Sequence, residues 1–369
     1  SINLSGSFTH VINNASLTTY AGVVHTGGFT KAGPGTLVLS GNNIFSGTGT
    51  INAGTLRAAH ANALGTPQSP TLVADGAALE LNGALTAEPV TIRGMGVAAQ
   101  GALYSIGGAN SVATVSVPAS ALANVTIGSS LKTGPVDVAA GQLLTKTGNG
   151  VLSIERVRGG GLAIATGKVA VAGARSNDRT SNVTSLVVPL TGNVQLDLGE
   201  NDLVYDYTDA SPLATVQAAI ASGYAGGTWA GPGIISEAVL GTPGTALGYG
   251  ETAVALGAGS HLFSGQMVDD TSVLIRYTFA GDANLDGSVN LDDFTALAAS
   301  FGAPATTWTS GDFNYNGATN LDDFTALAAN FGFTLPSDVA RAAVPEPGMA
   351  GVMAMLAAGL VGRVRRRDR

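Results

Sequence analysis

Short runs of alternating Val, Leu, Ile and Thr, broken by Gly, Asn and Ser at intervals of roughly eight to twelve residues, fill the chain from its first residue to about residue 174. Alternating polarity places successive side chains on opposite faces of a strand, so each run predicts a strand and each break a turn. Helical periodicity is absent here. One line of residues recurs within the region: KAGPGTLVLSGNNIFSGTGTINAGTLRAA from Lys31 and, more loosely, KTGNGVLSIERVRGGGLAIATGKVAVAG from Lys146. Lys31, Gly33, Gly35 and Leu37 match Lys146, Gly148, Gly150 and Leu152, and Gly54-Thr55-Leu56 matches Gly167-Lys168-Val169. Self-similarity of this length predicts stacked coils that bury one shared core.

After a polar break at residues 175–179 the rhythm changes, and residues 175–280 read as a mixed β segment with one helix. SLVVPL and VQLDLGENDLVYDY predict strands. The helix opens at Ser211 with Pro212 in its first turn, presents Leu213, Val216 and Ile220, and is expected to stop at Gly223. Trp229 reads as a packing anchor or, if exposed, a surface for stacking on sugar. Glu251, Asp269 and Asp270 read as turn acids or ligands.

Residues 281–335 contain one unit written twice: GDANLDGSVNLDDFTALAASFG from Gly281 and GDFNYNGATNLDDFTALAANFG from Gly311. Each copy opens with oxygen donors at alternate positions. The first offers Asp282, Asn284, Asp286, Ser288 (through its carbonyl), Asn290 and Asp293; the second offers Asp312, Asn314, Asn316, Ala318 (carbonyl), Asn320 and Asp323. This is the spacing of an EF-hand-type loop, in which a chain wraps a hard cation with oxygens from positions 1, 3, 5, 7, 9 and 12. Gly287 and Gly317 fill position 6, where the chain reverses. A helix follows each loop, with Phe294, Leu297, Ala298 and Phe301 on one stripe and Phe324, Leu327, Ala328 and Phe331 on its counterpart; Gly302 and Gly332 supply the stops. Two calcium ions are expected. Three carboxylates against two rank the first loop as the tighter site.

The duplicated loop-helix pair resembles the type I dockerin, which implies helices packed through their Phe and Leu stripes and a cohesin-like partner. Positions 10 and 11, where that family usually carries a Ser-Thr type pair for cohesin contact, hold Leu291-Asp292 and Leu321-Asp322. The lines beginning at Lys31 and Lys146 resemble the autotransporter-associated, or passenger-associated, β-strand repeat, which implies a right-handed parallel β-helix on an exported protein. The layout of 175–280 before the loops resembles that of large secreted planctomycete proteins.

Near the C-terminus Val344-Pro345-Glu346-Pro347 precedes an uncharged apolar stretch at 348–362 and a basic tail at 363–369. This order is similar to the PEP-CTERM sorting signal. The resemblance implies a hydrophobic helix that anchors the precursor in the inner membrane of a Gram-negative bacterium, cleavage by an exosortase, and release to the cell surface or matrix. Residues 336–343 read as a linker.

Composition agrees with a turn-rich β protein. The 369 residues include 52 glycines and only 11% charged residues, against roughly 25% in an average domain. The net charge is −8; the basic tail contributes +4, leaving −12 on the rest, which argues against nucleic acid as a partner. There is no cysteine, so neither disulfides nor thiolate sites contribute. The chain begins at Ser1 rather than Met, and the natural start with any signal peptide is expected upstream. The acids of the first region, Asp75, Glu80, Glu88, Asp137 and Glu155, are far apart in sequence, and glycoside chemistry needs two carboxylates facing one bond. His10, His25, His60 and His261 share no spacing that suggests a triad or a metal site. The sequence therefore reads as a non-enzymatic, exported surface or matrix protein with a structural or adhesive role. The alternative is a polysaccharide-degrading or carbohydrate-binding protein that docks to a cohesin-like partner.

Overall fold

The structure is a computed structural model and describes residues 9–25, 27–119, 123–127 and 130–336. The sorting segment 344–369 and linker residues 337–343 lie outside the described residues, as do the side chains of residues 9, 10 and 123–127.

The chain is mainly β, and its strands stack in parallel into a solenoid of about nine turns. Strands from successive turns build a 12-stranded, a 9-stranded and a 6-stranded sheet. The first turns carry two strands each, such as Gly28–Lys31 with Thr36–Leu39, and a third strand joins from Asn110–Val112 onward. Alternation decides which side chains point inward: in Thr36–Leu39 and Val151–Ile154 every second residue is buried. Because each turn repeats that alternation in register, like residues stack on like. Leu37 pairs with Leu56, Leu56 with Leu79 and Leu79 with Leu103. A second column runs Leu131, Leu152, Val169, Leu196 and Ile234. All of these are buried, and each contributes roughly 1.5–3 kcal/mol by leaving water.

The recurring lysine is inside this core. Lys31 and Lys146 are both fully buried. Lys31 Nζ donates to the carbonyls of Gly33 and Ala53. Lys146 Nζ donates to Gly148 O at 2.5 Å and Thr166 O at 2.8 Å. Each ammonium thus ties the turn that follows it to the next coil. Burial lowers the pKa of both lysines, that of Lys146 to about 8. The third element of the repeat follows from the same geometry. A Cβ on Gly167, which sits at φ +73°, would lie 2.4 Å from Lys146 Nζ and 2.5 Å from Gly148 O, so the lysine head occupies the space where any other side chain would begin.

Parallel stacking continues beyond the polar break at 175–179, through Ser181–Val183, Leu203–Asp206, Gln195–Asp197 and Gly233–Ile235. Helix α1 (Leu213–Tyr224) then packs on Gly233–Ile235. Its residue Gly223 does not end the helix. It is buried, and a Cβ there would lie 2.2 Å from Ile234 O. The helix stops instead at Ala225, in the left-handed region at φ 46°, so that glycine serves close approach rather than termination. A second, short helix, α2 (Thr252–Ala255), was not anticipated. The largest sheet ends with two antiparallel strands, Ser272–Phe279 and, at its edge, Thr245–Glu251. Helices α3 (Leu291–Ala299) and α4 (Leu321–Asn330) follow. Among the described residues no helix is long and apolar enough to cross a membrane.

Candidate metal centre

The duplicated loops fold alike down to individual atoms. In the first, Asp282 Oδ1 accepts from the Asp286 amide and Oδ2 from the Gly287 amide. In the second, Asp312 accepts from Asn316 and Gly317 in the same way. Asn284 and Asn314 accept from the amides two residues on, as do Asp286 and Asn316. Gly287 and Gly317 hold φ 90° and 81°, as a reversal at position 6 requires. Position 7 pairs with a distant strand-like segment: Ser288 with Thr334, and Ala318 with Pro304. Each loop is therefore zipped to the segment that follows the other loop's helix.

Position 12 has a role that the ligand reading missed. Asp293 Oδ1 accepts from the amides of Ala283 and Asn284, and Oδ2 from the Asn290 amide; Asp323 repeats this with Phe313, Asn314 and Asn320. Asn290 and Asn320 in turn cap α3 and α4, and the reciprocal bonds form capping boxes. The signal was in the sequence, since Asn-x-x-Asp ahead of an apolar run is a helix-start pattern.

Asp282, Asp293, Asp312 and Asp323 are fully buried, whereas Asp286 and Asn316 at position 5 are exposed. Burial raises the pKa of Asp282 to about 7, of Asp312 to about 6, and also that of Asp293. Backbone amides satisfy these carboxylates but do not neutralise them. Among the described residues no three His, Cys, Asp or Glu side chains are grouped to hold a metal by themselves. A cation here would depend on the asparagine oxygens and the position-7 carbonyls as well. Such an all-oxygen donor set fits a hard divalent ion such as calcium and not a soft metal.

The loop-helix pair is built onto the end of the solenoid. Tyr315 Oη donates to Leu247 O at 3.0 Å and accepts from Leu247 N at 3.1 Å, so one hydroxyl pairs both backbone groups on the free edge of Thr245–Glu251. Asn330 Nδ2 donates to Gly244 O and Ala280 O, and Trp308 Nε1 donates to Asp282 O at 2.6 Å. The rings of Tyr224, Trp229, Tyr249, Trp308 and Tyr315 pack together at this junction.

Other expectations meet mixed outcomes. Leu297 and Leu327 are buried, and Phe294 meets Phe324 at 6.3 Å. Phe301 and Phe331 instead lie outside the ends of α3 and α4 and are 54% exposed, because the chain has already turned toward Gly302 and Gly332. Trp229 is buried against Tyr224 and presents no face to a sugar. Asp269 and Asp270 accept turn amides from Thr271 and Gly259, and Glu251 accepts from the hydroxyls of Tyr207 and Ser211. Glu80 pairs with Arg57 and Asp137 with Arg156, while Glu88 is buried. His261 bonds to the Gly257 carbonyl.

Comparison with known proteins bears on the solenoid. Residues 29–58 match the passenger-associated-transport-repeat family. The match encloses Lys31, Gly33, Gly35 and Gly54, the residues of the buried ammonium and its turn. The chain is also similar to the adhesin BmaC autotransporter of Brucella suis biovar 1 (strain 1330), at 31% identity over 215 residues, covering 51% of this chain and 6% of that protein. It thus spans about 6% of the length of the curated relative. No solved structure matches.

Proposed function

We propose that this is an exported surface protein with an adhesive or structural role: a solenoid shaft whose C-terminal end is closed by a calcium-ordered, dockerin-like cap. The observation that carries the reading is the parallel solenoid with its passenger-type repeat at 29–58, and similarity to an adhesin supports it. Stacked coils give a long, regular surface, which suits contact with a repetitive partner such as a surface polysaccharide. Extracellular calcium in the millimolar range suits loops of this class. Asp282, Asn284, Asp286, Asn290 and the Ser288 carbonyl would hold one ion, and Asp312, Asn314, Asn316, Asn320 and the Ala318 carbonyl the other, with Asp293 and Asp323 completing each set. A bound ion supplies the positive charge that the buried carboxylates lack, so its binding free energy adds to folding. Residues 344–369 would anchor the precursor in the inner membrane until an exosortase cuts near Pro345–Pro347 and the body passes to the surface or matrix. In this reading the protein catalyses nothing.

The test is attachment of cells that display the chain to a polysaccharide-coated surface, with and without chelator. Attachment should require the chain, fall on chelation and return with millimolar calcium. Equal attachment by cells lacking the chain refutes the adhesive role. A second reading, in which the cap docks a cohesin-like partner, is favoured by Leu291 and Leu321, each 66% exposed at matching positions. Alanine at both would then abolish capture by cohesin.

A further inference from the structure

The two loops are copies thirty residues apart, so what differs around them is informative. Arg276, on the strand leading into the first loop, donates from Nη1 to the Leu285 carbonyl at 2.6 Å, and its charge acts on Asp282. A Cβ on Gly287 would lie 2.9 Å from Arg276 Nη2, so the guanidinium rests against the loop's reversal as well. Thr278 adds a hydroxyl that donates to Asp282 Oδ2 at 2.5 Å. Thirty residues on, these two positions are Thr306 and Trp308, and neither supplies a charge.

Carboxylate counting ranks the first loop higher on the strength of Asp286. That side chain is exposed, and water and salt screen its charge. The buried charges differ in the other direction. The charge of Arg276 acts on Asp282, whereas the charged group acting on Asp312 is another carboxylate, Asp323. A second observation lies beside the second loop. Tyr249 is fully buried and feels the Asp312 charge. A buried carboxylate without a counter-charge is costly unless one is brought to it, and a divalent cation at this loop would bring it.

We propose that the loops are unequal: Arg276 serves the first as a built-in cation, and the second, around Asp312, Asn314, Asn316 and Asp323, is the site that takes a divalent ion tightly. This rests on the calcium reading above and reverses the ranking expected from composition. Loop 2 also carries Tyr315, which pairs the free edge of Thr245–Glu251, so the tighter ion sits at the contact with the solenoid.

The test is titration of the full chain with calcium, followed by calorimetry, and with terbium, followed by aromatic-sensitised emission. Position 5 is exposed in both loops, so Asp286→Ala and Asn316→Ala remove one ligand each without opening the core. Two phases are expected. Asn316→Ala should weaken the tighter phase at least tenfold while Asp286→Ala leaves it unchanged. Arg276→Gln, which keeps a donor for the Leu285 carbonyl but removes the charge, should tighten the weaker phase about tenfold or more. Loss of the tighter phase in Asp286→Ala, or a weaker phase indifferent to Arg276→Gln, overturns the proposal while leaving calcium binding intact. Absence of saturable binding in the unsubstituted chain overturns the calcium reading and this proposal with it.

Discussion

Replacing Lys146 by Met tests whether the buried ammonium holds the coils together. The side chains have similar length, so the substitution removes the charge and its donors with little change in volume. Two carbonyls, Gly148 O and Thr166 O, lose a charged donor, and hydrogen bonds to charged groups are worth about 1.5–3 kcal/mol each. Against this gross loss of about 3–6 kcal/mol stands relief of the ammonium's burial, the cause of its lowered pKa. A buried ion exchanged for a hydrophobe can be neutral when its partner goes too. Here the partners are backbone carbonyls that stay behind unpaired, so loss should win, at a net of about 2 kcal/mol. Hydrogen exchange across Leu143–Thr147 and Gly161–Ile164 should quicken roughly thirtyfold, as that energy implies. The pH dependence has a definite sign. The native lysine gives up its proton near pH 8 and the unfolded one near 10.5, so between those values the unfolded state holds more protons and stability rises with pH. The neutral amine still has two N–H donors for the two carbonyls. The gap between the parent protein and Lys146→Met should therefore widen as pH rises through this window. A variant of equal or greater stability throughout would refute the staple.

Two further outcomes are accessible. Glu88 is buried with Thr71 Oγ1 as donor to one oxygen, and burial raises its pKa to about 7; because the folded value exceeds the unfolded one, its contribution is full below about pH 4.5 and is lost as pH rises toward 7. Glu88→Gln should flatten that decline and raise the midpoint of urea unfolding at pH 8, with little effect at pH 4. Tyr315→Phe keeps the ring packing but strips both backbone groups of Leu247 of their partner, which should cost about 2 kcal/mol and speed exchange of the Leu247 amide, read by mass spectrometry.

Much of this architecture was legible in the sequence. Period-two alternation gave strands, and the Lys31 and Lys146 lines gave stacked coils, because in-register stacking demands that each turn repeat the last. The burial of those lysines was not legible. A lysine normally reads as surface, and only its recurrence two residues ahead of a glycine marks it as bound to that glycine's carbonyl. The loops announced their own backbone through Gly287 and Gly317. They did not announce the capping-box role of Asp293 and Asp323, since a single carboxylate satisfies both the ligand and the helix-start pattern. The extent of the solenoid was hidden for another reason: beyond residue 174 its strands are separated by α1 and by a hairpin, and spacing no longer reports stacking.

The position of the cap was written in the differences between the copies rather than in their identity. The shared NLDDFTALAA fixes the loop end and helix. Where the copies diverge, Leu285 against Tyr315 and Ser300 against Asn330, the second member adds side-chain hydrogen bonds to distant backbone: Tyr315 to the edge strand, Asn330 to the Gly244 and Ala280 carbonyls. A strand at the edge of a sheet presents unpaired amides and carbonyls, which invite another chain to add to it. Thr245–Glu251 is such an edge, and its Leu247 groups are met by one tyrosine hydroxyl. That hydroxyl is placed by a loop whose Asp312 and Asp323 are buried. Under the calcium proposal, closure of the solenoid end and the charge state of the second loop are one physical problem, and removal of the proposed ion should expose the edge before the coils are lost.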